Sequence, residues 1–308
     1  KCWHCEVVAV PSTDLLTHMD DWIIPGREYL WISFSRSGDS PEGVAVLEQA
    51  RKKHPHIRHF IVSCNAQGRM IRESSVDRRT MAVALEDAVN DRGLAMTSSF
   101  SNMLIFGQCL AHVQDRAQYE TILLQLMEAS KSFLSRAADL ASKLAGDDYA
   151  KACFLGSGAL RGVAKESALK LSEMTAGKTL TMSESVMGLR HGPMAALDRD
   201  TLLVTFISSD SRIQKYERDL LLEIGNKRLV RSRVIVGPQE MSHAKGMSEQ
   251  FLSTGESFLV SDDYRPALDV IFGQLLGLFF SLRCNLQPDS PSPNGVISRV
   301  VNNVIIHS

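Results

Sequence analysis

Short apolar runs recur along the chain at Glu6–Val10, Tyr29–Phe34, His59–Val62, Ala152–Leu155, Leu202–Ile207, Arg233–Val236 and Ser257–Val260. Their unbroken β-branched and aromatic content predicts strands buried on both faces, as in a parallel sheet. Segments of helical period lie between them. In Glu42–Lys53 the apolar positions Val44, Leu47 and Ala50 fall on one helix face, and residues 117–145 form a long stretch rich in Ala, Leu, Glu and Lys. That stretch ends at Gly146-Asp-Asp, a helix stop. A new strand, glycine turn and helix begin at Ala152. The alternation predicts an α/β protein in two halves, residues 1–146 and 147–308. A proline-rich loop, Pro288–Gly295, precedes a last apolar stretch, Val296–Ile306.

The run Ser33-Phe-Ser-Arg-Ser-Gly-Asp-Ser-Pro-Glu-Gly43 follows the Tyr29–Phe34 strand directly. A loop that leaves the carboxyl end of a parallel strand and enters a helix is where α/β sheets bind ligands. The helix N-terminus adds unpaired amides and partial positive charge. Gly38 allows close backbone approach, while Ser35, Ser37 and Ser40 each offer a hydroxyl donor. Pro41 suits the first helical position, with Ser40 as its cap. Two readings follow, a phosphate cradle without lysine or a capped turn whose serines bind water and backbone. The Gly-Lys-Ser/Thr ending of a Walker A loop is absent, which disfavours a nucleoside triphosphatase.

The second half carries the densest chemistry. Residues 154–178 read as strand end, glycine turn and helix. Gly156-Ser-Gly158 reads as a structural turn, with a second anion-holding loop as the alternative. Glu166, Lys170 and Glu173 stand four and three residues apart and share one helix face, a pattern that a solvated row of charges also produces. His191 sits between Arg190 and Gly192-Pro193 in a loop that cannot be regular helix. A histidine there suits general acid/base work at neutral pH, or a hydrogen-bonded loop.

Composition narrows the classes. A net charge of −1 gives no basic field for nucleic acid or an anionic membrane. The apolar run Leu275–Leu282, between Gln274 and Arg283, is too short to span a bilayer. Six scattered cysteines suggest no disulfide framework, which fits a reducing cytoplasm. Cys2-Trp-His-Cys5 reads as incidental thiols, and His54, His56 and His59 as a solvated loop rather than metal ligands. Met96, Met103 and Met127 read as core filler. No signal-peptide pattern is seen. The first residue is Lys, so the natural start is expected upstream.

Ser35-Arg-Ser-Gly-Asp-Ser-Pro-Glu42, Glu166-Ser-Ala-Leu-Lys-Leu-Ser-Glu173 and Arg190-His-Gly-Pro193 together resemble the sugar isomerase (SIS) fold, and more closely the isomerase half of glucosamine-6-phosphate synthase. Met96–Phe100, Met174–Lys178 and Arg299–His307 resemble the AgaS-like galactosamine/tagatose-6-phosphate deaminase-isomerase branch, in the same order along the chain. The resemblance implies two tandem SIS modules, each a flavodoxin-like parallel sheet between helix layers. The family's first strand and its Gly-x-Gly-Thr-Ser loop would precede Cys2. It also implies roles. Ser35, Ser37 and Ser40 would bind the sugar phosphate. Arg36, Leu94 and Thr97 would line the substrate. Glu173 would be the base, His191 the ring-opening group and Lys170 the charge that orients substrate. The histidine commonly reaches its site across a subunit interface, which implies a homodimer. The synthase's C-terminal lysine has no counterpart in Ser290–Gly295.

The implied reaction needs no metal or redox cofactor. A cyclic hexose 6-phosphate must open before its carbonyl can react. The base then moves a proton from C2 to C1, and a glutamate suits this if partial burial raises its pKa. With an amino group on C2 the product is a ketimine, which water hydrolyses to a 2-keto sugar phosphate and ammonia. The substrate expected from the resemblance is galactosamine 6-phosphate, giving tagatose 6-phosphate. Simple aldose–ketose isomerisation and a non-catalytic sugar-phosphate sensor are the alternatives.

Overall fold

The computed structural model describes residues 3–238, 246–255, 261–292, 294–297, 299 and 304–307. The chain divides into two compact units, one of residues 1–111 with 298–308 and one of residues 112–297.

In the first unit α1 (Ser12–His18) is followed by β1 (Leu30–Ser35), α2 (Pro41–Lys53), β2 (Arg58–Ser63), α3 (Arg69–Arg72), β3 (Thr80–Ala84) and α4 (Ser98–Ala111). The strands form a parallel sheet in the order β1-β2-β3. Val44 and Leu47 of α2 pack with Ile61 and Met70, while Val46 and Ala50 pack with Met19 and Trp31. The expected strand Glu6–Val10 does not form: Val7 and Val8 are exposed outside any element. Apolar content there lacks a neighbouring strand to pair with. β3, unread in the sequence, is short and lies beside Asp77, Arg78 and Arg79.

His59 corrects the solvated-loop reading. It lies on β2 beside Trp31 of β1, 2% exposed, with the two rings edge to face at 5.9 Å. Neither ring nitrogen has a hydrogen-bond partner among the described residues. Burial, aided by Arg51 and opposed by Asp77, lowers its pKa to about 4. The folded pKa is below the unfolded value of 6.5, so the stability linked to neutral His59 is fully present above pH 6.5 and lost as pH falls from 6.5 to 4. The expected loss is at most about 3 kcal/mol. Urea midpoints at pH 7.5 and pH 5 check this: His59→Phe should flatten the difference seen in the parent chain, and an unchanged difference would count against it.

In the second unit α5 (Arg116–Ala145) precedes β4 (Lys151–Gly156), α6 (Leu160–Met174), β5 (Leu180–Ser185), β6 (Thr201–Phe206), α7 (Ser211–Asn226), β7 (Ser232–Gly237), β8 (Gln250–Ser253) and α8 (Pro266–Arg283). The sheet is parallel throughout, ordered β5-β4-β6-β7-β8. Cys153, Leu155, Leu203 and Ile235 from its strands meet Leu220, Leu221 and Ile224 of α7 in one core. The helix stop at Gly146 holds, and α5 belongs with the unit that follows it because it packs along α8. The expected strand Ser257–Val260 lies outside the described residues; β8 ends just before it.

α8 is 18 residues long and apolar enough, by length and composition, to cross a membrane, longer than the apolar run read from the sequence. Here it buries Phe272, Leu276 and Phe280 and packs against α5 and α6. Its contact with α6 depends on two small residues. A Cβ at Gly273 would stand 2.5 Å from the Ser167 Cβ, and one at Gly277 would stand 2.7 Å from the Met174 sulfur and 3.2 Å from the Lys170 carbonyl oxygen. The approach of α8 therefore closes over the α6 face that carries Lys170.

Candidate active site

Ser35 ends β1, and the loop turns at Gly38, whose φ of +66° is the left-handed region that favours glycine. The Ser35 hydroxyl accepts from the Gly38 N–H at 3.0 Å, and the Ser37 hydroxyl accepts from the Asp39 N–H at 3.2 Å. Both oxygens spend a lone pair on the loop and keep an O–H proton to donate. Ser40 occupies the cap position before Pro41, but its side chain makes no capping hydrogen bond.

Arg36 is 9% exposed. Its guanidinium donates to the carbonyls of Gly93 and Leu94, each at 3.1 Å, and of Arg299 at 2.6 Å. It therefore ties down the strip that contains Leu94. Thr97 gives both its amide and its hydroxyl to Asp91 at 2.9 Å. Asp91 also accepts from the Ser98 and Ser99 amides and the Ser99 hydroxyl, and so fills the N-terminus of α4 with the chain's own anion. Burial pushes the Asp91 carboxyl up, but the donors from Ser99 and Thr97 outweigh it and hold the pKa below the usual value. A second anion has little to gain at that helix end.

In the second unit Ser157, after β4, donates to Glu217 Oε1 at 2.9 Å, and the Ser208 amide donates to Glu217 Oε2 at 3.0 Å. Asp262 accepts from the Ser208 hydroxyl at 2.5 Å and from the Ser209 amide at 2.9 Å. Strand order reverses between β4 and β6, the crevice where parallel sheets hold ligands. Here two internal carboxylates take its donors. Burial, against the donors from Ser208 and Ser157, pushes Glu217 up to about 7. The Gly156-Ser-Gly158 turn is thus engaged in structure.

The chemistry of this unit lies on α6. Lys170 is 2% exposed, with Nζ 2.6 Å from Glu173 Oε2 and 3.4 Å from Glu166 Oε1. Glu173 is partly exposed and Glu166 nearly buried. Burial pushes Glu166 up to about 7, against the pull of Lys170. One buried ammonium therefore serves two carboxylates, and Glu173 keeps Oε1 without a hydrogen bond from the described residues. His191 lies between two short 3₁₀ turns, Gly188–Arg190 and Pro193–Ala196, its amide bonded to the Gly188 carbonyl at 2.9 Å. Arg190 anchors that loop to Glu223 of α7 at 3.0 Å. The His191 ring is exposed and makes no hydrogen bond or ion pair with Glu166, Lys170 or Glu173 among the described residues.

No family model matches the chain. It is 36% identical over 308 residues to the putative D-galactosamine-6-phosphate deaminase AgaS of Streptomyces coelicolor, across 98% of this chain and 78% of that protein. It is 33% identical over 300 residues to the D-galactosamine-6-phosphate deaminase AgaS of Escherichia coli O157:H7, across 97% of this chain and 77% of that protein. The chain belongs to the AgaS family. The crystal structure of the E. coli tagatose-6-phosphate ketose/aldose isomerase superposes with a TM-score of 0.85 at 30% identity, over 97% of this chain and 77% of that one. The C-terminal domain of a Francisella tularensis glucosamine-fructose-6-phosphate aminotransferase shares the fold, with a TM-score of 0.72 at 19% identity.

For an AgaS-family chain, sequence reasoning missed Asp91, Glu217 and the brace of Asp39, Asn65 and Gly68 around the serine loop. Asp91 had a usable signal: an acid shortly before Thr-Ser-Ser at a helix start is a capping pattern. Glu217 had none, because Asp210–Glu217 reads as an ordinary charged helix start. The incidental-thiol reading of Cys2-Trp-His-Cys5 lies partly outside the described residues, which exclude Cys2. His54 is held by Asp20 at 2.8 Å, as a loop residue would be.

Proposed function

We propose that the chain converts D-galactosamine 6-phosphate to D-tagatose 6-phosphate and ammonia. The observation that carries the reading is the buried Lys170 shared by Glu166 and Glu173 on α6. A solvated row of charges would leave that lysine in water, and the deaminase names of the relatives supply the substrate class. Each sheet with its helices is taken as one SIS module, and the chemistry as independent of metal.

The phosphate is held by the hydroxyls of Ser35, Ser37 and Ser40 at the start of α2, while Arg36 positions Leu94 and Thr97 braces α4. His191 moves a proton between the ring oxygen and O1, opening the sugar. Glu173 takes the proton from C2, the C2–H electron pair becomes the C1–C2 double bond, and the aldehyde oxygen is protonated to an enolamine. Lys170 offsets the charge on the developing oxyanion. Glu173 returns its proton to C1, and the nitrogen lone pair closes a C2 ketimine. Water adds at C2 and ammonia leaves, giving the 2-ketose. The exposed His191 ring, without a hydrogen bond or ion pair among the described residues, supports a homodimer in which it serves a neighbouring subunit's substrate.

Ammonia release from galactosamine 6-phosphate tests the reading. Turnover with stoichiometric ammonia and tagatose 6-phosphate is expected. Ketose exchange without ammonia would replace it with simple isomerisation, and binding without turnover would replace it with a sensor. The phosphate assignment has its own check. The Ser37→Ala/Ser40→Ala double variant should raise KM at least about a hundredfold and leave kcat within about threefold, each of the two lost charge-assisted hydrogen bonds being worth roughly 1.5–3 kcal/mol.

A further inference from the structure

We propose that Asn65 is a positioning residue that shapes the serine loop for phosphate. The inference rests on the phosphate role given to that loop above. Asn65 sits where the chain leaves β2, 28 residues from Ser37, and its side chain faces two ways. Nδ2 donates to the Ser37 carbonyl at 2.9 Å and to Asp39 Oδ2 at 3.4 Å. Oδ1 accepts from the Gln67 amide at 3.0 Å, which folds the 65–68 turn. One side chain therefore sets both its own turn and the loop opposite.

The rest of the segment continues the brace. The Ser63 hydroxyl donates to the Arg36 carbonyl at 3.3 Å and accepts from the Asn65 amide at 3.1 Å. The Met70 amide donates to the Gly38 carbonyl at 2.9 Å, and the Arg69 amide to Asp39 Oδ1 at 2.8 Å. Gly68 makes this proximity feasible, because a Cβ there would stand 2.4 Å from the Ser37 carbonyl oxygen.

The consequence is electrostatic. A loop that binds an anion must present N–H and O–H groups and keep its carbonyl oxygens away. Three successive carbonyls, of Arg36, Ser37 and Gly38, are each occupied by a donor from residues 63–70. Asn65 holds the middle one. It also gives Asp39 Oδ2 a donor, beside the one that Oδ1 takes from the Arg69 amide, so both oxygens of the carboxylate are held away from the loop's anion side. Without Asn65 the Ser37 carbonyl loses its side-chain donor and the Ser37–Ser40 peptides can rotate, at a direct cost to phosphate and none to the groups on α6.

The test uses the full chain and inorganic phosphate as a competitive inhibitor. In Asn65→Ala, KM for galactosamine 6-phosphate and the phosphate inhibition constant should both rise about tenfold, with kcat within about threefold. Asn65→Asp keeps the acceptor for Gln67, loses the donor and adds a charge, so it should match or exceed Ala. A role confined to folding would lower kcat through the active fraction and leave both constants unmoved, which would overturn the proposal. Combining Asn65→Ala with Ser37→Ala/Ser40→Ala should add less than about twofold to KM, since all three act through one loop; full multiplication of the effects would overturn it too. If Asn65→Ala fails to fold, Asn65→Asp alone carries the comparison. Should the serine variants leave phosphate inhibition unchanged, it is the phosphate reading of the loop that falls. If they weaken it and the Asn65 variants do not, that reading stands and the positioning role is wrong.

Discussion

Glu173→Gln should lower kcat for ammonia release by about a thousandfold, the range expected when a positioned general base is lost, and leave KM near its parent value. The substitution is nearly isosteric, and an amide oxygen still accepts from Lys170, so the α6 packing survives. The amide cannot take the C2 proton. A rise in KM with kcat retained would instead mark Glu173 as a binding group. Steady-state ammonia release with a coupled assay separates the two.

Lys170→Met gives the second large effect, and it acts on both stability and rate. The side chain keeps most of its length and stays apolar, but the ammonium paired with Glu166 and Glu173 on α6 is gone. Removing one partner of a buried pair costs about 3–5 kcal/mol when the other stays charged. Glu173 is partly exposed and Glu166 can neutralise, so a loss of about 2–3 kcal/mol at pH 8 is expected. The pH dependence has a definite sign. Glu166 is already raised to about 7 by burial with Lys170 opposing it, so losing Lys170 raises it further. A carboxyl raised above its unfolded pKa loses stability as pH rises from the unfolded toward the folded value. The destabilisation should therefore shrink at pH 6, where Glu166 holds a proton, and grow at pH 8. Urea midpoints at the two pH values measure it, and equal losses would contradict the shared-lysine arrangement. kcat/KM should fall at least a hundredfold, the scale of an electrostatic stabiliser removed from the reacting oxygen.

What could be read from the sequence depended on where its determinants lie. β4, β6 and β7 are central strands, apolar on both faces, and their runs stood out. β5 is an edge strand, Leu-Thr-Met-Ser-Glu-Ser, half-polar throughout and unread. Glu6–Val10 had the composition of a strand but no partner. On α6 the spacing of Glu166, Lys170 and Glu173 fixed a common face, since that follows from helix geometry alone. It could not say whether water covered the face. The answer lies in Gly273 and Gly277, about a hundred residues on, which let α8 close over Lys170. Likewise Ser35, Ser37 and Ser40 announced a loop by type and position, while their support comes from Asn65, Gly68 and Arg69. Arg36, between two candidate serines, read as a substrate contact; the carbonyls that hold it at 93, 94 and 299 are distant in sequence.

The account centres on one proton transfer, and its most direct test is solvent exchange. Galactosamine 6-phosphate is incubated with the chain in D2O and followed by ¹H NMR at C2 of substrate and C1 of product. The parent chain should wash out the C2 proton or place one deuterium at C1, and the Glu173→Gln chain should do neither while still being inhibited by phosphate. Undiminished C2 exchange in Glu173→Gln would mean that another group takes the proton, and the arrangement on α6 would need a different purpose.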